Sequence, residues 1–396
     1  MAETTDPAWP EPAGTARADR LAGLALGLPP VLSYADRYGY LPVTIGIAAQ
    51  LHLSAATIAW SVSGYLLAYG AGQPLWGTLS DRYGRRRVLQ IGLAGLALSD
   101  LAAPLFISPA ALIGLRTTAG LMAGALIPTT LAMVGDLIGP ARRHQAVSRV
   151  TSAGSAAGAA GMLVCGVLAA RVGWRLPLFG LAGLAALAIA VVTATLPSRR
   201  PPRPPSGRAL RELWLSRRAA GRLYVFAFGE GIVMLGALPL MVPALRLLGQ
   251  GSAGAGATMA AYGLAAVTAM AVFSRIAAGG PNRPVAIGGL LLVAGLGLAI
   301  MLPAHPLVLA AIASACLGAA FSLFHSRFQA MATQVVPGAR GLGIGIFAGV
   351  IFGGAAIGTG AGTALASRIG FPAVFACLTL IAAATLIVGY RLAQRA

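Results

Sequence analysis

Runs of about twenty apolar residues recur along this chain, and a run of that length is what a helix needs to cross the ~30 Å hydrocarbon core of a bilayer. They fall at roughly 21–49, 56–79, 88–106, 110–133, 147–169 and 176–196. After a long break they resume at 223–247, 255–278, 285–302, 307–325, 341–366 and 371–390. Several exceed what the bilayer requires, so tilt or overhang is expected. Only 10% of the 396 residues are charged and 57% are apolar, whereas a soluble domain carries roughly 25% charged residues. Ten acidic and 29 basic residues cannot coat a soluble core of this size, so the solvent for most of the surface must be lipid. The fold class expected is an all-α membrane protein of twelve transmembrane helices.

The break at 197–222, PSRRPPRPPSGRALRELWLSRRAAGR, is too rich in Pro and Arg to insert. It divides the chain into two six-helix bundles, 21–196 and 223–390, flanked by tails at 1–20 and 391–396 that are expected to be cytoplasmic. A weak repeat supports the division. GWRLPLF at 173–179 and GFPAVF at 370–375 occupy the same junction in each half. Duplicated halves that face one another are an architecture of transporters.

All 29 basic residues are Arg, and the net charge is +19. With the N-terminus inside, 23 of them fall in inner segments and four in outer ones. That bias obeys the positive-inside rule and places both termini in the cytoplasm. It argues for orientation in a cytoplasmic (inner) membrane rather than for a nucleic-acid surface. The two remaining arginines, Arg37 and Arg116, lie within spans. Cys165, Cys316 and Cys377 sit in apolar runs without metal-ligand spacing and read as core residues. The first apolar stretch is too long for a signal peptide, whose apolar region is about 7–15 residues.

The connection between the second and third spans, GTLSDRYGRRRVLQ at 77–90, resembles the major facilitator superfamily signature G-x-L-x-D-R-x-G-R-R/K-x. Gly77, Leu79, Asp81, Arg82, Gly84, Arg85 and Arg86 all match. Gly84 supplies a tight turn. Asp81 is an anion at a helix end that favours cations, so it needs a partner such as Arg85. The resemblance implies two pseudo-symmetric bundles working by alternating access. It also implies that Asp81 contacts the start of the eleventh helix at 336–340 and that Arg85 pairs with Asp136. Such a set latches the outward-open state. Arg87 reads as a plain inner-surface charge.

The fourth span, LIGLRTTAGLMAG at 112–124, is similar to the L-x-x-x-R-x-x-x-G pattern of proton-coupled drug exporters, with Arg116 and Gly120 matching and Ala119 in place of a common Gln. A buried Arg costs at least ~2.5 kcal/mol on insertion scales, so it needs a counter-ion. Arg116 lies about six residues, or ~9 Å, below the outer mouth, and Asp36 about fifteen residues, or ~22 Å, above the inner start of its helix. These depths nearly coincide, and an Asp36–Arg116 pair can carry a proton cycle. The alternatives are a static pair, or Asp36 paired with Arg37. Glu230, in the seventh span, is the other mid-membrane acid. It binds a cationic substrate, titrates, or is a hydrogen-bonded core acid. Asp100 reads as a solvated interface residue and His325 as an interfacial one.

The fifth span keeps Gly154 and Gly158 of the exporters' g-x-x-x-G-P-x-x-G-G pattern. It carries Ala159, Met162 and Leu163 where that pattern has Pro and a Gly pair. Gly349, Gly353 and Gly358 belong to a ladder in the eleventh span, where small residues allow close helix approach. Tyr34, Tyr38, Tyr40, Tyr65, Tyr69 and Gln73 are candidates to line a cavity, with Tyr262, Phe321, Phe324 and His325 as weaker ones. The resemblance implies a non-enzymatic transporter, a monomer in lipid, moving a small organic solute against protons. No metal and no cofactor is expected; the energy source is a proton gradient. Export leads, and a nutrient importer is the alternative.

Overall fold

The computed structural model describes residues 16–106, 108–198, 217–280, 282–332, 334 and 340–394. Among the described residues it contains helices and no strands, in twelve rods. They are α1 Ala16–Gln50, α2 Ala55–Tyr83, α3 Arg85–Ala102, α4 Pro109–Leu137, α5 Pro140–Arg171, α6 Arg175–Thr195 and α7 217–247. After these come α8 Ser252–Ala277, α9 Arg283–Ile300, α10 Pro306–Ala332, α11 Arg340–Ile369 and α12 Phe371–Gln394. Nine of the described rods are long and apolar enough to cross a membrane. Of the other three, α1 holds Asp36 and Arg37, α3 holds Arg85–Arg87 and Asp100, and α2 carries Ser, Thr, Tyr and Gly through its length, which lower their hydropathy.

The helices overhang the expected spans on the inner side. α1 begins at Ala16 and α7 at Arg217, inside the segments read as tail and linker. A helix can continue into the aqueous headgroup zone without breaking its backbone hydrogen bonds, so apolar run length understates helix length. Residues 199–216, most of the expected linker, lie outside the described residues, as does most of the N-terminal tail.

Local chemistry sets the outer ends. Ser54 caps α2, its Oγ accepting from the Thr57 N–H at 3.2 Å. Ser108 caps α4 through the Ala111 N–H at 3.1 Å, with Pro109 in the first turn; both satisfy orphan donors of a helix start. The repeated junction holds too. Gly173 and Gly370 both take positive φ, +122° and +82°, a region open to glycine. The aromatic residues that follow, Trp174 and Phe371, are both buried.

Each half packs by the same scheme. α1 lies against α5, α2 against α4 and α3 against α6; correspondingly α7 lies against α11, α8 against α10 and α9 against α12. One contact recurs in detail. Gly120 of α4 abuts the Tyr65 carbonyl of α2, and Gly318 of α10 abuts the Tyr262 carbonyl of α8. Tyr65 and Tyr262 are therefore equivalent positions of the two halves. Gly318→Ala is expected to cost about 1–3 kcal/mol, because the added methyl meets backbone. Gly353→Ala, whose methyl meets nothing within 4 Å, should leave the thermal midpoint in detergent unchanged or raised.

Exposure is inverted relative to a soluble protein. Val225 is 77% and Leu380 73% exposed, while Asp36, Asp100 and Glu230 are 0%. The apolar surface is the lipid-facing one. The halves meet along α2–α11 and α5–α8. On α2–α11, Ser63 faces Gly360, Gly70 faces Gly349 and Pro74 faces Gly345. On α5–α8, Met162 and Ala159 face Gly256 and Gly263. Here α8 supplies the small residues that α5 lacks.

Candidate functional site

Arg116 of α4 is 1% exposed and holds two acids at once. Its Nη1 donates to Asp36 Oδ1 at 2.9 Å and to Asp100 Oδ1 at 2.8 Å. The ring centroids of Tyr40 and Tyr65 lie 4.1 and 4.8 Å from the guanidinium carbon. The expected Asp36–Arg116 pair is formed, and Asp100 joins it as a third member. The reading of Asp100 as a solvated interface residue is corrected: it is buried. The short outer turn after α3 brings the last turn of that helix beside the first turns of α4, and the long Arg116 side chain reaches it. The second oxygens of both acids and the Arg116 Nε have no hydrogen-bond partner. Two carboxylates share one guanidinium, so the ionised cluster carries a net charge of −1. One added proton neutralises it. Buried net charge is expensive, and coupled acids hold such a proton jointly.

Arg37 does not pair with Asp36. Adjacent residues on a helix point about 100° apart, and Arg37 turns instead into an aromatic cage. Tyr34, Tyr38, Tyr69 and Phe352 surround it with centroids 4.7, 4.7, 4.9 and 5.1 Å away. Each such contact is worth about 0.5–2 kcal/mol, more when desolvated.

Glu230 meets His325, Oε1 to Nδ1 at 2.9 Å. His325 is thus not a lone interfacial residue. It is 7% exposed and stacks between Phe321 and Phe347, with centroids 4.7 and 5.5 Å away. Both partners sit at a π-turn. Glu230 immediately precedes the one at Gly231–Leu235, and His325 ends the one at Phe321–His325. A π-turn inserts a residue into the helical register and re-aims the side chains beside it. Gly231, against the Ile351 carbonyl, lets α11 close on α7 there. By the equivalence of Gly120 and Gly318, His325 lies deeper on α10 than Arg116 does on α4. The two acid–base sites therefore flank the centre at different depths of the bundle.

The turn between α2 and α3 gathers the expected residues Arg85, Asp81 and Asp136. Arg85 forms an ion pair with Asp81, donates to Asp136 Oδ2 from Nε at 3.1 Å, and donates to Ser80 Oγ at 2.6 Å. Gly84 links α2 to α3 at φ +97°, as a turn lacking Cβ permits. Arg86 donates to the Leu196 carbonyl at 3.1 Å, and Arg82 lies over the Tyr83 ring at 5.5 Å. Gly77 has open space around it. The expected contact of Asp81 with the start of α11 falls at 336–340, and 336–339 lie outside the described residues.

Between the halves lies a cavity bounded by α1, α2, α4, α7, α8 and α11, with about 450 Å³ of empty space counted out to its open side. Tyr38 and Tyr65 line it, as do Tyr40 and Tyr262. Tyr34 lines a smaller neighbouring pocket that shares Tyr38 and Tyr262. Tyr69 is buried behind the cavity with its Oη 3.3 Å from Ser33 Oγ; Gln73 is half-buried on α2 and is not among the lining residues. Gly154 and Gly158 face the rings of Tyr34 and Tyr38, and Gly358 faces the Ile232 carbonyl. Sequence reasoning missed Arg37 as a wall residue. The signal was present: an Arg three residues after Tyr34 and one before Tyr38, in a helix with no second acid on that face.

The family model described as Major Facilitator Superfamily matches residues 30–337. The chain belongs to that superfamily. Among characterised relatives, the facilitator is 31% identical over 153 residues to a tetracenomycin C resistance and export protein of Streptomyces glaucescens, covering 37% of this chain and 28% of that one. It is 29% identical over 166 residues to a puromycin resistance protein of Streptomyces alboniger, covering 42% and 32%. The matched segment thus spans about a third or less of the length of those relatives. Among solved structures, a nucleoside transporter superposes with a TM-score of 0.75 at 14% identity, covering 93% of this chain and 99% of that one. A bacterial homologue of the lysosomal transporter Spinster, inward-facing, gives 0.75 at 16%, covering 96% and 98%. This chain and those two solved structures share one multi-pass fold.

Proposed function

We propose that this facilitator exports small organic molecules in exchange for protons, by alternating access and without chemical change to its cargo. The observation that carries this reading is the buried Asp36–Asp100–Arg116 cluster, whose charge one proton changes from −1 to 0. Protonation releases one acid from Arg116 and alters the field beside the cavity, and so biases one conformation over the other. Glu230 and His325, in contact at 2.9 Å, form a second buried acid–base pair. The relatives that confer tetracenomycin C and puromycin resistance support export over import.

In this reading the protein works as a monomer in the cytoplasmic membrane, both ends inside, with bundles 21–196 and 223–390 rocking about the α2–α11 and α5–α8 contacts. Arg85, with Asp81 and Asp136, latches the inner ends. Asp81→Ala should slow transport several-fold while ligand affinity, measured at equilibrium, stays unchanged. Loss of affinity in that variant would remove the latch role.

The test is transport into inverted vesicles with puromycin and tetracenomycin C as probes. Export predicts uphill accumulation that needs an inward-acid gradient and collapses with a protonophore. The importer alternative predicts accumulation in right-side-out vesicles instead.

A further inference from the structure

The charged side chains that line the cavity are both arginines. Arg37 and Arg116 line it, and no acid does. Arg116 is already held by Asp36 and Asp100. Arg37 is 8% exposed and forms no ion pair among the described residues. Four aromatic rings lie around its guanidinium, Tyr34 also lies beside it as a polar neighbour, and its Nε finds no acceptor. Two further donors on the same wall, the hydroxyls of Tyr65 and Tyr262, make no well-formed hydrogen bond, although Asp36 lies beside the first and Tyr38 beside the second. These tyrosines are the equivalent positions of the two halves, so they approach the cavity from opposite bundles. Glu230 faces His325 and does not line the cavity, which leaves no carboxylate there to receive a cation.

A buried donor without an acceptor is costly, and the cost of an unpaired buried charge is greater. Three of them around one space are accounted for by a ligand that brings the acceptors. An Arg edge matches a carboxylate in bidentate fashion, and the rings of Tyr38, Tyr262 and Phe352 offer faces for stacking. We infer that the central cavity binds planar aromatic anions, with a carboxylate or phenolate on the Arg37 edge and the ring system among the aromatic side chains. This rests on the reading of that cavity as the substrate site and names the substrate class. Binding neutralises Arg37, and its acceptors also take up the tyrosine hydroxyls.

The test is equilibrium binding to the purified full chain in detergent, with no gradient, using three matched probes: anthracene-2-carboxylate, anthracene-2-carboxamide and 2-(aminomethyl)anthracene. The carboxylate is expected to bind at least about tenfold tighter than the amide, the worth of one charge-assisted bidentate contact, and the ammonium weakest. In Arg37→Gln the advantage of the carboxylate over the amide should disappear, whatever the affinity of the amide becomes; Tyr262→Phe should weaken the carboxylate by a smaller factor. Equal affinities, a preference for the ammonium, absence of saturable binding by all three, or an undiminished carboxylate preference in Arg37→Gln would each overturn the inference. If Arg37→Gln does not fold, the three-probe comparison on the unmodified protein decides alone. A carboxylate that binds selectively but is never moved by a proton gradient would defeat the exporter reading and leave the binding site standing.

Discussion

Arg116→Leu is expected to lower stability by about 3–5 kcal/mol, the cost of removing one partner from a buried ion pair, read as a fall in the thermal midpoint in detergent. Two carboxylates would be left at 0% exposure with no cation beside them. The loss has a signature that ordinary misfolding lacks: it is reversed by removing the acids. Arg116→Leu combined with Asp36→Asn and Asp100→Asn should recover most of the stability, because replacing all partners of a buried charge cluster costs far less than orphaning some of them. A single variant as stable as the unmodified protein would mean that water reaches the cluster.

The second large effect is functional. Asp36→Asn is expected to abolish gradient-driven accumulation of substrate, down to the level of vesicles without protein, while exchange of substrate across the membrane at equal concentration persists. The amide keeps a hydrogen-bond acceptor for Arg116 at nearly the same volume, so the packing of α1 against α4 survives. What is lost is the proton: Asn leaves the cluster neutral in every step, and no change of field distinguishes one conformation from the other. Uphill transport retained in this variant would transfer the coupling role to Asp100 or to Glu230–His325. Asp100→Asn provides the comparison. If the two acids hold one proton jointly, either variant uncouples.

The helix order was legible in the residues because lipid imposes a simple constraint on each span. The turn at Gly84 and the triad of Arg85, Asp81 and Asp136 were legible because a signature motif sits in one short loop. Asp36 and Arg116 were paired from depth alone, since a helix advances a fixed distance per residue. Asp100 was not, because depth from the helix end placed it near water. Only the reach of Arg116 across the outer turn shows otherwise. His325 was not paired with Glu230 because two π-turns lie between regular spacing and the real side-chain directions, and no hydropathy pattern reports them. Arg37 was treated as a rival for Asp36, and its cage is assembled from α1, α2 and α11, which are far apart in the chain.

The most direct measurement is a proton count on the purified protein. In weakly buffered detergent solution with a pH-sensitive dye, addition of saturating transported substrate at the pH of half-maximal transport should displace up to one proton per chain from the unmodified protein and none from Asp36→Asn. Displacement of the same number of protons from both, or none from the unmodified protein at any pH where it transports, would contradict the assignment of the coupling proton to the Asp36–Asp100–Arg116 cluster.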